Sequence, residues 1–247
     1  MSHLRKVTTG ILFLFIVQSS GLYAQRFYQD LQDYCDQLAK EASSVPAPRK
    51  DSLKIIGDLL LEQQRDNSPA TVMFTGRDNG SISQAAEIWL YTALHYYKLK
   101  NIKVYSGGIR PAAINYRIVA ALKRCGFYIM PAGGYSDNPV YFLNLGRNYP
   151  DYTFFAKLID YYTNPRDHYL VIPVLLEADS ADYHRYGAER TIPYHWYNPS
   201  LWDDTAVESI KYDACIHEIG RDLFFLAGYL RDRIKSDKKK KKHRRGT

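Results

Sequence analysis

The chain is poor in cysteine. Cys35, Cys125 and Cys215 are its only three, far apart and in no metal-ligand spacing, which excludes a disulfide framework and a thiolate metal centre. One disulfide with a thiol left over and three buried free thiols both remain open. Long apolar runs are also missing. The most apolar stretch, from Ile11 to Val17, falls short of the about 20 residues a membrane-spanning helix needs. No internal repeat is visible, and the 247 residues suffice for one well-buried domain of ordinary apolar content with a small appendage.

The folded body lacks the basic charge that the overall composition suggests. The formal net charge is +7, yet five Lys and two Arg of the terminal "KKKKKHRRGT" supply all of it. Arg5 and Lys6 add two more, so by subtraction residues 25–237 are left at −2. A terminal charge block of this kind reads as a solvated arm with affinity for an anionic membrane surface or polysaccharide; nucleic acid is not the expected partner. At the other end, "MSHLRKVTTGILFLFIVQSSGLYAQ" combines a basic start, a short apolar run and a small-residue site ending at Ala24. That is a secretory signal pattern with cleavage after Ala24, placing the mature protein in the periplasm or outside the cell.

Apolar residues then recur at helical spacing in "RFYQDLQDYCDQLAKEAS" (Phe27, Leu31, Tyr34, Leu38), and a second helix follows in "DSLKIIGDLLLEQQ". From residue 70 the pattern alternates: a strand over 70–75, a helix over 83–98, a strand over 102–105 and a helix over 112–125. Further strands are expected at 141–145 and in "YLVIPVLL", where Pro173 sits awkwardly, and a long helix closes the domain. Such alternation predicts an α/β fold: an open parallel sheet of four or five strands, the segment 141–145 counted among the four, with helices on both faces in a flavodoxin-like three-layer arrangement. The expected division is a signal over 1–24, an N-terminal helical extension over 25–68, the α/β domain over 69–235 and a basic disordered tail over 236–247.

The stretch "VMFTGRDNGSISQAAEIW" runs a strand into a Gly/Asp/Asn/Ser loop and then into a helix. In open α/β sheets ligands sit where strands end, and a helix N-terminus offers unpaired N–H groups to an anion. Arg77, Asp78, Asn79, Gly80, Ser81 and Ser83 are therefore the candidate anion-binding residues.

In order along the chain, "SQAAEIW", "VYSGG", "INYRIVAALKRCGF", "NPVY", "TNP" and "YNPSLWDDT" resemble the low-molecular-weight protein tyrosine phosphatase and arsenate reductase superfamily. The resemblance spans roughly residues 49–230. It implies a phosphate loop of the form C-x5-R-S, with a thiolate nucleophile and an arginine clamp, and a general acid in a late Asp-Pro dipeptide. Aligned on Ser83, the nucleophile position is Gly76 and the arginine position is Ile82, while Asn79 and Ser83 match the Asn that braces the loop and the Ser that orients the thiolate. The late dipeptide reads Asn198-Pro199, and an amide cannot protonate a leaving group.

With the signal pattern, the resemblance thus implies an exported pseudophosphatase that keeps the fold and a loop for a weakly held anion, acts by binding a protein partner, and needs no cofactor or metal. A second reading is an active phosphatase or arsenate-reductase-like enzyme using Ser81, Arg77 and Asp203. A third is a structural partner of a cell-envelope assembly. His184 and His195, with Glu177, Asp179 and Asp182, match no metal-binding spacing. The tyrosine clusters "LYTALHYYKLK" and "LIDYYTNPRDHYL" read as core and rim positions.

Overall fold

The computed structural model describes residues 25–64, 68–110, 112–135, 137–178 and 181–245. The segment read as a signal, residues 1–24, lies outside the described residues, as does Asp179. Among the described residues, no helix is long and apolar enough to cross a membrane.

Four strands, β2 (Ala70–Gly76), β3 (Ile102–Gly108), β8 (Tyr169–Pro173) and β9 (Ala188–Thr191), form a parallel sheet in the order β3-β2-β8-β9. β2 lies at its centre, and every residue except Thr71 is buried, as expected of a strand covered on both faces. Pro173 is the last residue of β8, where a missing N–H does least harm.

Side chains alternate across the sheet. Val72, Phe74, Leu170 and Ile172 face the main core, where Trp89, Ile219 and Leu223 meet them. All five helices contribute buried residues to this core: α1 (Gln29–Glu41), α2 (Ala47–Gln63), α3 (Ile82–Tyr96), α4 (Tyr116–Arg124) and α5 (Glu208–Arg245). α5 packs against each of the other four. Met73, Tyr169 and Val171 face the opposite way onto Ile159, Tyr183 and Ala188. That face is covered by the segment around Ile159 and by the chain around the 3-10 turn His184–Tyr186. The N-terminal helices α1 and α2 belong to the main core through Leu31, Leu38, Leu53, Ile56 and Leu60.

Three expectations need correction. The strand expected at 141–145 does not join the parallel sheet. It is β5 (Asn138–Asn144), in a separate antiparallel sheet of order β4-β5-β7 with β4 (Tyr128–Tyr135) and β7 (Tyr152–Phe154). The short connection from β4 to β5 dictates this, because a tight turn can only join antiparallel neighbours. Phe27 lies outside the first helix, in β1 (Arg26–Phe27), paired antiparallel with β6 (Gly146–Arg147). The tail expected to be disordered from 236 continues α5 as far as Arg245. Lys and Arg are good helix formers, and positive charge at a helix C-terminus suits the helix dipole.

The cysteine alternatives resolve in favour of free thiols, since Cys35, Cys125 and Cys215 are all buried and unpaired with one another.

Candidate functional site

β2 ends at Gly76 and α3 begins at Ile82, so residues 77–81 form a loop at the carboxyl edge of the sheet. The chain leaves β2 for β3 on one side, and β8 lies on the other. This is the point where strand order reverses, and it opens a crevice in folds of this type. The end of β3 is laced to the loop through Ile109 N–H to the Gly76 carbonyl (3.4 Å), Arg110 N–H to that of Arg77 (2.8 Å) and Ala112 N–H to that of Asp78 (3.0 Å).

Asn79 organises the loop from inside. It is fully buried with φ of 52°, a left-handed conformation that Asn tolerates better than most residues. Its Nδ2 donates to Ser83 Oγ (3.1 Å), and its Oδ1 accepts from Gln84 Nε2 (2.9 Å) and from the Lys157 N–H (2.9 Å). Asp78 turns the chain by accepting from the Gly80 N–H (2.9 Å). Gly80 must be glycine, because a Cβ there would lie 2.6 Å from the Ala113 carbonyl oxygen. The N–H groups of Asp78, Asn79 and Ser81 reach no acceptor among the described residues, and those of the first turn of α3 have no intrahelical acceptor.

The three positions aligned with catalytic groups have structural occupations. A Cβ built on Gly76 would point at Ser83, 3.3 Å from its Oγ, so the position faces the hydroxyl that the resemblance assigns to a thiolate. Ile82, aligned with the arginine, is buried in the main core. Asn198 caps the 3-10 turn Pro199–Trp202, its Oδ1 accepting from the Ser200 N–H (3.1 Å).

These segments enclose a cavity of about 220 Å³. Arg77, Asp78 and Ser81 line it from the loop, Leu175 and Glu177 from the chain after β8, and Asn198 and Ser200 from the capped turn. Asn115 and Tyr212 complete the wall. Arg77 is exposed, and its guanidinium makes no ion pair among the described residues. The Tyr212 hydroxyl accepts from Asn115 Nδ2 (2.8 Å) and donates to Asp203 (2.7 Å); burial, then the Asp203 hydrogen bond, pushes the phenol well above its usual range.

The fallback trio is only partly assembled. Ser81 and Arg77 share the cavity, but Asp203 does not line it and is engaged by Tyr212 and by Arg117 at 3.6 Å. Among the described residues no histidine lines the cavity, and no hydrogen bond joins the Ser81 hydroxyl to the two carboxylates that do, Asp78 and Glu177. Burial pushes the Cys125 thiol up to about 12 and those of Cys35 and Cys215 higher still, the opposite of a nucleophilic cysteine. Among the described residues no cluster of three His, Cys, Asp or Glu could hold a metal ion, and His184 Nδ1 is bonded to the Ala188 carbonyl (2.9 Å).

Sequence reasoning missed Asn115, Glu177 and Tyr212 as cavity residues. Glu177 was legible in principle, as it follows β8 at the sheet's carboxyl edge. The buried Glu87 was not legible. It accepts from the hydroxyls of Ser106 and Tyr152 and sits 3.5 Å from Lys157 Nζ, whose own N–H bonds Asn79.

No family model matches the chain, and no curated protein matches it. Solved structures similar to it include a YwlE mutant from Bacillus subtilis, at 15% identity over 65% of this chain and 98% of that one, with a TM-score of 0.43. A low molecular weight protein tyrosine phosphatase from Bacillus subtilis is 14% identical over 66% and 97%, with a TM-score of 0.42. A thioredoxin-dependent arsenate reductase from Corynebacterium glutamicum is 16% identical over 83% and 95%, with a TM-score of 0.36. Each is a similarity of overall fold at low identity.

Proposed function

We propose that this protein is an exported, non-catalytic relative of the low-molecular-weight tyrosine phosphatase and arsenate reductase superfamily, and that it works by binding at the 77–81 loop. The observation that carries the reading is Gly76: the position facing Ser83 Oγ has no side chain, while the Asn79–Ser83 brace around it is intact. Ile82 in the core and Asn198 as a turn cap support the same reading. Export rests on the first 24 residues of the sequence.

What remains for an anion is a set of loop N–H groups, the N-terminal dipole of α3 and Arg77 at the rim. Without a bidentate arginine inside the loop, phosphate should bind weakly, with Kd on the order of 1 mM. The test is a phosphate titration followed by amide NMR. Saturable shifts confined to Asp78, Asn79, Gly80 and Ser81, and reduced in Arg77→Ala, are expected. Shifts scattered over the surface, or none, would remove the loop as a binding site.

A further inference from the structure

A second candidate site lies at the opposite end of α3 from the loop. The helix runs 15 residues from Ile82 to Tyr96, about 22 Å at 1.5 Å per residue. At its far end a groove of about 820 Å³ opens between α1, the β1 strand and α5. Among the described residues lining it the cations are Arg26, Lys40, Lys98 and Arg231, and the one carboxylate is Asp36. Asp36 is already occupied, accepting from Tyr96 OH (2.7 Å) and Gln32 Nε2 (2.9 Å). Arg231 pairs with Asp232 and lies over the Tyr97 ring at 4.6 Å. Arg26, Lys40 and Lys98 are exposed and have no ion pair among the described residues.

Two further observations point to an anion here. Arg26, in the groove wall, is the cross-strand partner of Arg147, which lies next to the groove rather than in its lining and is also exposed and without an ion pair among the described residues. Like charges placed opposite each other destabilise a two-stranded pair, and an anion between them would reverse the sign of that interaction. In addition, α5 leaves the body beside this groove. Leu230 is its last fully buried residue; Arg231 lines the groove, and Lys235 and Lys238 to Lys240 follow exposed. Residues 235–240 extend the basic surface by about 9 Å. All this sits on a body whose net charge is −2, so the positive charge is local.

We propose that the groove and the basic arm together bind a linear acidic polysaccharide. A concave groove does not fit a flat bilayer, and the arm after Ile234 has no apolar residue to enter one. Single-stranded nucleic acid would need open ring faces for stacking. Here the Tyr97 face is taken by Arg231, and Tyr149 is packed against Phe27 and His95. A chain of carboxylates or sulfates needs only spaced cations. The proposal is independent of the loop reading.

The test is binding of the purified protein to heparin, polygalacturonate, neutral dextran, oligothymidylate and phosphatidylserine vesicles at roughly 0.15 M salt. Both acidic polysaccharides should bind, dextran should not, and affinity should fall as salt rises. The triple variant Arg26→Gln/Arg147→Gln/Lys98→Gln should weaken polysaccharide binding by about tenfold or more, as should Lys238→Gln/Lys239→Gln/Lys240→Gln. Lys40→Gln/Lys98→Gln, which leaves the β1–β6 pair untouched, serves if the triple variant unfolds. The proposal fails if the groove variants bind as tightly as the parent, or if oligothymidylate or vesicles bind at least as tightly as the polysaccharides.

Discussion

The hydrogen bond from Asn79 Nδ2 to Ser83 Oγ, 3.1 Å long and fully buried, joins the loop to the first turn of α3 beside an empty side-chain position at Gly76. The bond supports the loop's shape, and its contribution is measurable. Asn79→Ala leaves Gln84 and the Lys157 N–H short of an acceptor and keeps a Cβ in the left-handed region. Unfolding by urea should show a loss of about 2 to 3 kcal/mol. A change under 0.5 kcal/mol would mean that the loop holds its shape by other means.

Gly76→Cys should be tolerated, because the nearest atoms to the new Cβ, on Ser83 and Val174, are 3.3 Å or more away. The substitution should nonetheless restore no phosphatase activity, since Ile82 is in the core where a clamp is needed and Asn198 supplies no proton. Turnover gained by this one change would show that Arg77 can replace the missing arginine.

The three native thiols should be silent to iodoacetamide in the folded protein at neutral pH, because burial raises the pH at which each would form a thiolate far above neutral. Mass spectrometry should find no adduct before unfolding and three after it. Reductant should leave the unfolding midpoint unchanged.

Much of the fold was legible because its signals are local. β2, α3, β3 and the long closing helix follow from short-range periodicity, and the Gly/Asp/Asn/Ser run between strand and helix identified the loop. The antiparallel sheet was not, since Pro131, Gly133 and Gly134 in β4 and Pro139 in β5 read as loop residues. β9 is four residues at a sheet edge and gave no pattern. The cavity wall escaped for a different reason: Asn115, Glu177 and Tyr212 come together only through the tertiary fold.

The same holds for Asp222, fully buried on α5. Its Oδ2 accepts from Arg49 Nη2 (2.6 Å) and Nε (3.0 Å), Tyr194 OH (2.9 Å) and Trp196 Nε1 (3.1 Å). Removing this carboxylate takes the acceptor from the Tyr194 hydroxyl and the Trp196 N–H and leaves Arg49 with the His195 carbonyl (3.0 Å) and Glu218 (3.4 Å) alone. Asp222→Ala should therefore destabilise by roughly 3 to 5 kcal/mol, while leaving phosphate binding at the loop unchanged in whatever fraction stays folded.

Glu218, near the same network, supplies a pH test. Burial raises its carboxyl above the usual 4.5, outweighing Arg49 at 3.4 Å. A raised folded pKa favours the protonated form, so its stabilising contribution is present below about pH 4.5 and is lost as pH rises through the folded value. Glu218→Gln should raise the unfolding midpoint at neutral pH, and the gain should vanish below about pH 4.5. A gain that persists in acid would assign the effect to packing.

The most direct test of the central claim is hydrolysis of p-nitrophenyl phosphate by purified protein from acid to neutral pH, with Ser81→Ala and Arg77→Ala beside it. The loop without a nucleophile predicts no turnover above the blank in any of the three. Turnover in the parent that disappears in either variant would contradict the account and make the loop a rebuilt active site.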